Sequence, residues 1–347
     1  RTFFFGNYQK STTRNPVTSL ATVPFPEQKL GDFTTTLDSR GNRVIVYDPT
    51  TTRPDPARPS QYIRDAFPGN RIPAGRLHPI SLNVQKYWPA PNRPGEGPTL
   101  FNNYYISSGK RAGNTHTWVT RIDHYLSSAH RLFGRFSGGQ SRTGSTGLGP
   151  ENMAFPAQSV SRGGNRSGLV SLASTFTPTI LGELRLSYTR FGSLSQWDSI
   201  DKFNLSSLGL PDYLVRAVEY KSFPSITVTQ YTTGTGFSVT DRGSSAEVSA
   251  LGSSSLGFTP EDTWHVQYHV TAMRNRHKIK LGTELQLLRV NTWTAGTPGT
   301  YFFDRQYTQG PDPLVRGSAV GHGYASFLLG IPVSGYLQIA PQLMLKK

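Results

Sequence analysis

The stretch TWHVQYHVTAMRNRHKIKLGTELQLLRV, residues 263–290, reads as two strands joined by a tight turn. Trp264, Val266, Tyr268 and Val270 alternate with His265, Gln267, His269 and Thr271; after the turn, Ile279, Leu281, Leu285 and Leu287 alternate with Lys278, Lys280, Glu284 and Gln286. Successive side chains of a strand point to opposite faces, so each strand carries one apolar and one polar side. Two further stretches repeat the unit. In residues 117–137, Trp118, Thr120, Ile122, His124 and Leu126 oppose Val119, Arg121, Asp123 and Tyr125. In residues 168–191, Val170, Leu172 and Phe176 share a face, and the return strand sets Leu184, Leu186 and Tyr188 against Glu183, Arg185, Ser187 and Thr189.

Alternation alone fits a membrane barrel and a soluble β-sandwich equally, because each buries one face of every strand. Three features favour the barrel. The strands run to about 10 residues, the length that crosses a bilayer at a tilt. Trp118, Phe176, Tyr188, Phe191 and Trp264 lie toward strand ends on the apolar faces, where a membrane interface favours aromatic rings. Turns of four or five residues alternate with long Gly-, Ser- and Thr-rich connections at 138–167 and 192–262, and a sandwich has no reason to keep every second connection short. The fold class expected is therefore all-β: an antiparallel transmembrane β-barrel with short periplasmic turns and long extracellular loops.

This pattern sorts the side chains. Arg121, Asp123, Arg135, Glu183, Arg185, His265, His269, Lys280 and Glu284 are expected to line the lumen. Trp118, Ile122, Leu184, Leu186, Trp264, Tyr268, Leu281 and Leu285 are expected to face lipid.

The 347 residues hold 35% hydrophobic residues, 35 Gly and 25 Pro, too few apolar residues for a bundle of spanning helices. The most apolar stretch, 324–345, is broken by Gly330, Pro332, Gly335 and Pro341 and predicts a short helix, a turn and a strand. Without cysteine there is neither a disulfide framework nor a thiolate site. The chain begins at Arg1 and ends where a strand would be under way, and it reads as an internal part of a longer protein.

A net charge of +15, from 36 Lys and Arg against 21 Asp and Glu, raises nucleic-acid binding. The basic residues are scattered in sequence and accompany no nucleic-acid motif, so no nucleic-acid partner is expected. Catalytic readings fail in the same way. His265 and His269 share one face of a strand rather than a zinc-binding helix, and Gly321-His322-Gly323 and Gly234-Thr235-Gly236 read as turn glycines. Asp123 and Glu183 read as cross-strand partners of Arg121 and Arg185 rather than an acid pair. No enzyme activity, metal or cofactor is predicted.

Two excursions interrupt the hairpins. After a strand at residues 2–9, residues 10–103 hold much Pro, Gly, Thr and Asn, with a short helix predicted at 79–88 from the Ile80, Val84 and Tyr87 stripe. The second, 192–261, contains a predicted strand at 226–231 and a Gly/Ser/Thr-rich region after it. Tyr104, Tyr105, Trp197, Tyr213, Tyr231 and Arg242 are candidate ligand contacts on these loops.

Phe3-Phe4-Phe5-Gly6-Asn7-Tyr8, Thr22-Val23-Pro24, Gly31-Asp32-Phe33, Tyr47-Asp48-Pro49 and Phe67-Pro68-Gly69-Asn70-Arg71-Ile72-Pro73 follow in order. They are continued by Asn102-Asn103-Tyr104, Arg121-Ile122-Asp123-His124, Arg131-Leu132-Phe133-Gly134-Arg135 and Ala325-Ser326-Phe327-Leu328-Leu329-Gly330. The ordered set, across residues 1–347, resembles the barrel portion of Oar-like TonB-dependent receptors. That resemblance implies about half of a 22-stranded outer-membrane barrel, with the plug and regulatory domains outside this chain. It also implies outer-membrane lipid, the plug and the TonB complex as partners, and import of an unidentified ligand. A non-transporting adhesin or structural barrel and a secreted carbohydrate-binding sandwich remain the alternatives.

Overall fold

A computed structural model describes residues 1–146, 152–155, 159–197, 199–232, 238–239, 246–252, 256–295, 297–338 and 342–346. Eight strands pair into one antiparallel sheet in chain order: β1 (Thr2–Ala21), β2 (Tyr104–Tyr125), β3 (His130–Thr146), β4 (Ser159–Thr177), β5 (Ile180–Trp197), β6 (Gly257–Arg274), β7 (His277–Thr294) and β8 (Gln342–Lys346). The connections β2–β3, β4–β5 and β6–β7 are tight and lie at one end of the sheet; every long connection leaves from the other. The turns have local causes. Ser127 Oγ accepts from the N–H groups of Ala129 and His130 at 3.1 Å, and Asn275 takes a left-handed φ of 54° in the two-residue turn before His277.

The strands are much longer than the alternation predicts, 22 residues in β2 and 17 in β3. The first excursion therefore starts after Ala21 rather than at residue 10, and the second runs from 198 to 256. At about 3.3 Å per residue, such strands reach well past an apolar band about 25 Å tall. Their far halves, rich in Gly, Ser, Thr and Asn, have no apolar face, which is why periodicity does not mark them as strands. The sheet is open: the outer edge of β1, and that of β7 over residues 277–289, have no strand partner among the described residues.

The long connections build a second body at their end of the sheet, and the main hydrophobic core lies there. Phe33, Trp88, Phe155, Phe223, Tyr324 and Phe327, all fully buried, belong to one cluster that also takes in Ala21 and Ile106 from the ends of β1 and β2. Trp88 sets its ring edge-on to Tyr324 and Phe327, at 5.7 and 5.2 Å between centroids, and donates its indole N–H to the Ser249 carbonyl at 2.7 Å. Burying each such ring is worth about 1.5–3 kcal/mol, which keeps these connections folded. A mixed four-stranded sheet supports them, in the order Ala246–Leu251, Ser225–Thr229, Thr297–Phe303, Ser334–Gln338, and its middle pair is parallel, so the chain is not antiparallel throughout.

The predicted helix at 79–88 forms as Pro79–Val84 followed by a 3-10 turn at Gln85–Tyr87; the predicted strand at 226–231 forms as Ser225–Thr229 and Tyr231–Thr232. Residues 324–345 form the wholly buried helix Gly323–Leu328, then strands. Among the described residues, no helix is long and apolar enough to cross a membrane, which says nothing of strands. Arg242 and Gly234-Thr235-Gly236 lie outside the described residues.

The motifs behind the family resemblance hold this cap together. Asn70, at a left-handed φ of 58°, donates its amide to the Phe33 and Val44 carbonyls at 2.7 and 2.8 Å and accepts from the Val46 N–H at 2.8 Å. The Asn103 amide pairs with both backbone groups of Val23 at 2.8 Å, as a neighbouring strand would. Asp48 accepts two bonds from Arg76, at 2.9 and 3.0 Å. Buried polar groups are thus satisfied in segments that lack ladder partners.

Candidate functional site

Residues paired across antiparallel strands share a face, so the register sorts the candidate residues without reference to solvent. Arg121 faces Arg135, then Leu169, Ser187 and His265. One row on, Asp123 faces Phe133, Ser171, Arg185, Gln267 and Glu284; the next brings Glu183 beside His269. Lys280, opposite Thr271, lies on the same side. All nine residues expected in the lumen therefore occupy one face. The other face carries Ile122, Val170, Leu186, Val266 and Leu285 in one row, with Tyr188, Trp264 and Leu287 beside it and Leu184, Tyr268 and Leu281 toward the tight turns.

The charged face is a chain of ion pairs. Asp123 accepts from Arg121 at 2.6 and 2.9 Å and from Arg131 at 2.7 Å, while Glu183 accepts from Arg185 at 2.7 Å and from Ser171 at 2.9 Å. The Arg121–Asp123 and Arg185–Glu183 pairs run along one strand, two residues apart, rather than across strands as expected; the cross-strand partner is Arg131, which alternation did not single out. His265 lies 2.5 Å from Glu284, and Gln267 donates to Glu284 at 3.2 Å. Phe133, under the Arg121 guanidinium at 4.3 Å, Phe3 and Phe5, opposite Asp123 and Arg121, and Phe191, expected on the apolar face but paired here with Glu261, make this face less uniformly polar than predicted. Among the described residues no cluster of three His, Asp or Glu is placed to hold a metal.

The apolar face is uncovered. Leu281 and Leu285 are each about 70% exposed, and the Tyr188 and Trp264 rings lie against each other, tilted by 40° with centroids 4.4 Å apart. Trp118 is half-buried because its ring lies over Gly138, where an added Cβ would come within 2.6 Å of it. A continuous apolar surface of this kind needs a partner.

A second constellation lies in the cap and was not foreseen. A cavity of about 360 Å³ is lined by Phe25, Phe101 and Val248, by Gln28, Thr36 and Asn102, and by Glu247, Arg305 and His322. Glu247 joins three elements: Oε1 accepts from Arg305 Nε at 2.5 Å, Oε2 accepts from the Gly323 N–H at 2.5 Å, and Oε2 lies 3.1 Å from His322 Nδ1. Arg305 also donates to the Ser318 carbonyl at 2.7 Å. Burial holds the His322 imidazole below its ordinary pKa, against the upward pull of Glu247. Gly321-His322-Gly323 is thus more than a turn. Gly321 has a left-handed φ of 71°, and His322 caps the buried helix by accepting from the Tyr324 N–H at 3.2 Å.

Several candidate ligand contacts have other duties. Tyr104, Tyr105 and Trp197 sit on strand ends rather than loops. Tyr231 is buried beneath Arg305 and Arg316, its hydroxyl donating to the Gly317 carbonyl at 3.0 Å; Tyr213 remains 71% exposed.

Comparison with curated proteins and with solved structures finds no match. The family model described as an outer membrane beta barrel domain matches residues 1–344, a non-catalytic barrel type that leaves the soluble sandwich without support. An uncovered apolar face, a charged opposite face and tight turns confined to one end agree with that match, and the chain belongs to this family of outer-membrane β-barrels.

Proposed function

We propose that the chain is the ligand-capturing part of a TonB-dependent receptor in the outer membrane. The charged face, with Arg121, Asp123, Arg135, Glu183, Arg185, His265, His269, Lys280 and Glu284, lines the lumen toward a plug. Trp118, Ile122, Leu184, Leu186, Trp264, Tyr268, Leu281 and Leu285 contact lipid. Completion of the open sheet by further strands gives the 22-stranded barrel that the motif resemblance implies.

The observation that carries this reading is the cap. The long connections at one end of the sheet fold into a body with its own core and a cavity of mixed polar and apolar lining, a costly structure for a passive pore. Hydrogen-bonding groups at Gln28, Thr36 and Asn102 together with apolar Phe25 and Phe101 suit a ligand of mixed polarity.

The test has two stages. Native mass spectrometry of the full-length protein identifies what it carries, and uptake of that compound is then followed in cells with and without TonB. Import that stops without TonB supports the proposal. A compound that binds while import is indifferent to TonB would instead support the adhesin or structural-barrel reading.

A further inference from the structure

The basic residues that look scattered in sequence converge once the strands pair. On the apolar face, the row of Tyr188 and Trp264 is followed, toward the long connections, by a row in which Arg166 of β4 stands directly opposite Arg190 of β5, with Trp118 in the same row. Two rows further on, Arg142 of β3 stands directly opposite Arg162 of β4. Like charges in directly opposed positions repel. The one carboxylate within ion-pair distance of these four guanidiniums, among the described residues, is Asp262, 3.6 Å from Arg190 and already accepting from the Tyr188 hydroxyl at 2.6 Å. Between the arginine pairs, Gly164 faces Gly192, and a cavity of about 710 Å³ opens there, bordered by His116 and Gln140 on one side and by Leu194 and Phe258 on the other.

We infer that this cationic trough binds the phosphorylated sugar headgroup of a glycolipid in the outer leaflet. The aromatic row marks the level of the membrane interface. Arg166 and Arg190 lie one row beyond it and Arg142 and Arg162 three rows beyond. With two residues per row, about 3.3 Å per residue and a tilt near 40°, these rows stand about 5 and 15 Å above the aromatic belt. A simple phospholipid headgroup reaches the lower pair alone; a sugar headgroup with phosphates at both ends spans the two. Guanidinium forks suit phosphate, and anionic lipid neutralises the repulsion that the opposed pairs otherwise carry. The inference rests on the lipid-face assignment proposed above and not on transport.

The test is native mass spectrometry of the full-length protein in detergent, titrated with a bis-phosphorylated diglucosamine lipid. The comparison ligands are its dephosphorylated form, phosphatidylethanolamine and inorganic pyrophosphate. The wild type should retain the phosphorylated glycolipid selectively. Arg142→Gln/Arg162→Gln should lower its occupancy by about tenfold, and Arg142→Lys/Arg162→Lys should restore part of it, with thermal unfolding in the same detergent unchanged. Equal retention of the dephosphorylated lipid, equal retention by the Gln variant, or full competition by pyrophosphate at matched concentration would overturn the inference. A nitroxide at position 186 in the same preparation separates the two assignments: lipid contact there with no selective retention defeats the glycolipid site alone, whereas absence of lipid contact defeats both.

Discussion

Leu186 and Arg185 are neighbours in sequence that the strand sends to opposite environments, and single substitutions there read the face assignment. Leu186→Arg places a charge near the bilayer midplane and is expected to cost about 2–4 kcal/mol, while Arg185→Leu is expected to be mild; urea unfolding of the full-length protein in lipid vesicles measures both. In the cap, Glu247→Gln leaves the buried Arg305 charge without its counter-ion, at an expected cost of about 3–5 kcal/mol. Amide exchange in the helix Gly323–Leu328 should accelerate accordingly. His322 adds a pH dependence of definite sign. Because burial lowers its folded pKa, the unfolded cap binds a proton that the folded cap refuses once pH falls below the ordinary imidazole value. Cap stability is therefore full above about pH 6.5 and declines below it, and His322→Asn, which keeps a capping side chain, should remove that contribution. Exchange rates of the same helix at pH 7.5 and 5.5 test the slope.

At the scale of elements, glycine and aromatic side chains pair across strands. The Trp118 ring occupies the space above Gly138, and Phe176 that above Gly182. Gly138→Leu should evict Trp118, shift its fluorescence and cost about 1–3 kcal/mol, whereas Gly134→Ala, into open space, should change little. The hairpins were legible in the sequence because an apolar solvent on one side demands alternation, as Trp264, Val266 and Tyr268 show. The far halves of the same strands were not, since Asn114, Gln140 and Ser161 answer to water on both sides. The cap core was illegible for another reason. Phe33, Phe67, Trp88 and Phe155 come one at a time from separate segments, so no period announces them, and Glu247 and Arg305 are 58 residues apart. Alternation groups the nine polar residues on one side but shows neither the phenylalanines among them nor the ion pairing: Arg131 follows Asp123 by eight positions and reaches it only through the register of β2 and β3.

For the whole molecule, the defining feature is a division of labour along the strands. Near the tight turns the sheet has one apolar and one charged face; beyond the aromatic row it becomes largely polar on both sides, Trp118, Leu194 and Phe258 apart; at the long connections it carries a body with a conventional hydrophobic core. A soluble protein would cover Leu281 and Leu285, and no described segment does so. Lipid is the partner of that face in this reading, and because these 347 residues hold no cysteine, one introduced here is the only cysteine among them. Nitroxides are placed singly at 186, 264 and 281, and at 185, 265 and 280, in the full-length protein reconstituted in lipid, and their accessibility to oxygen and to a water-soluble nickel complex is compared. Oxygen accessibility should be high and nickel accessibility low at the first three positions, and the reverse at the second three. Nickel accessibility at 186, 264 and 281, or burial of all three from both reagents, would contradict it.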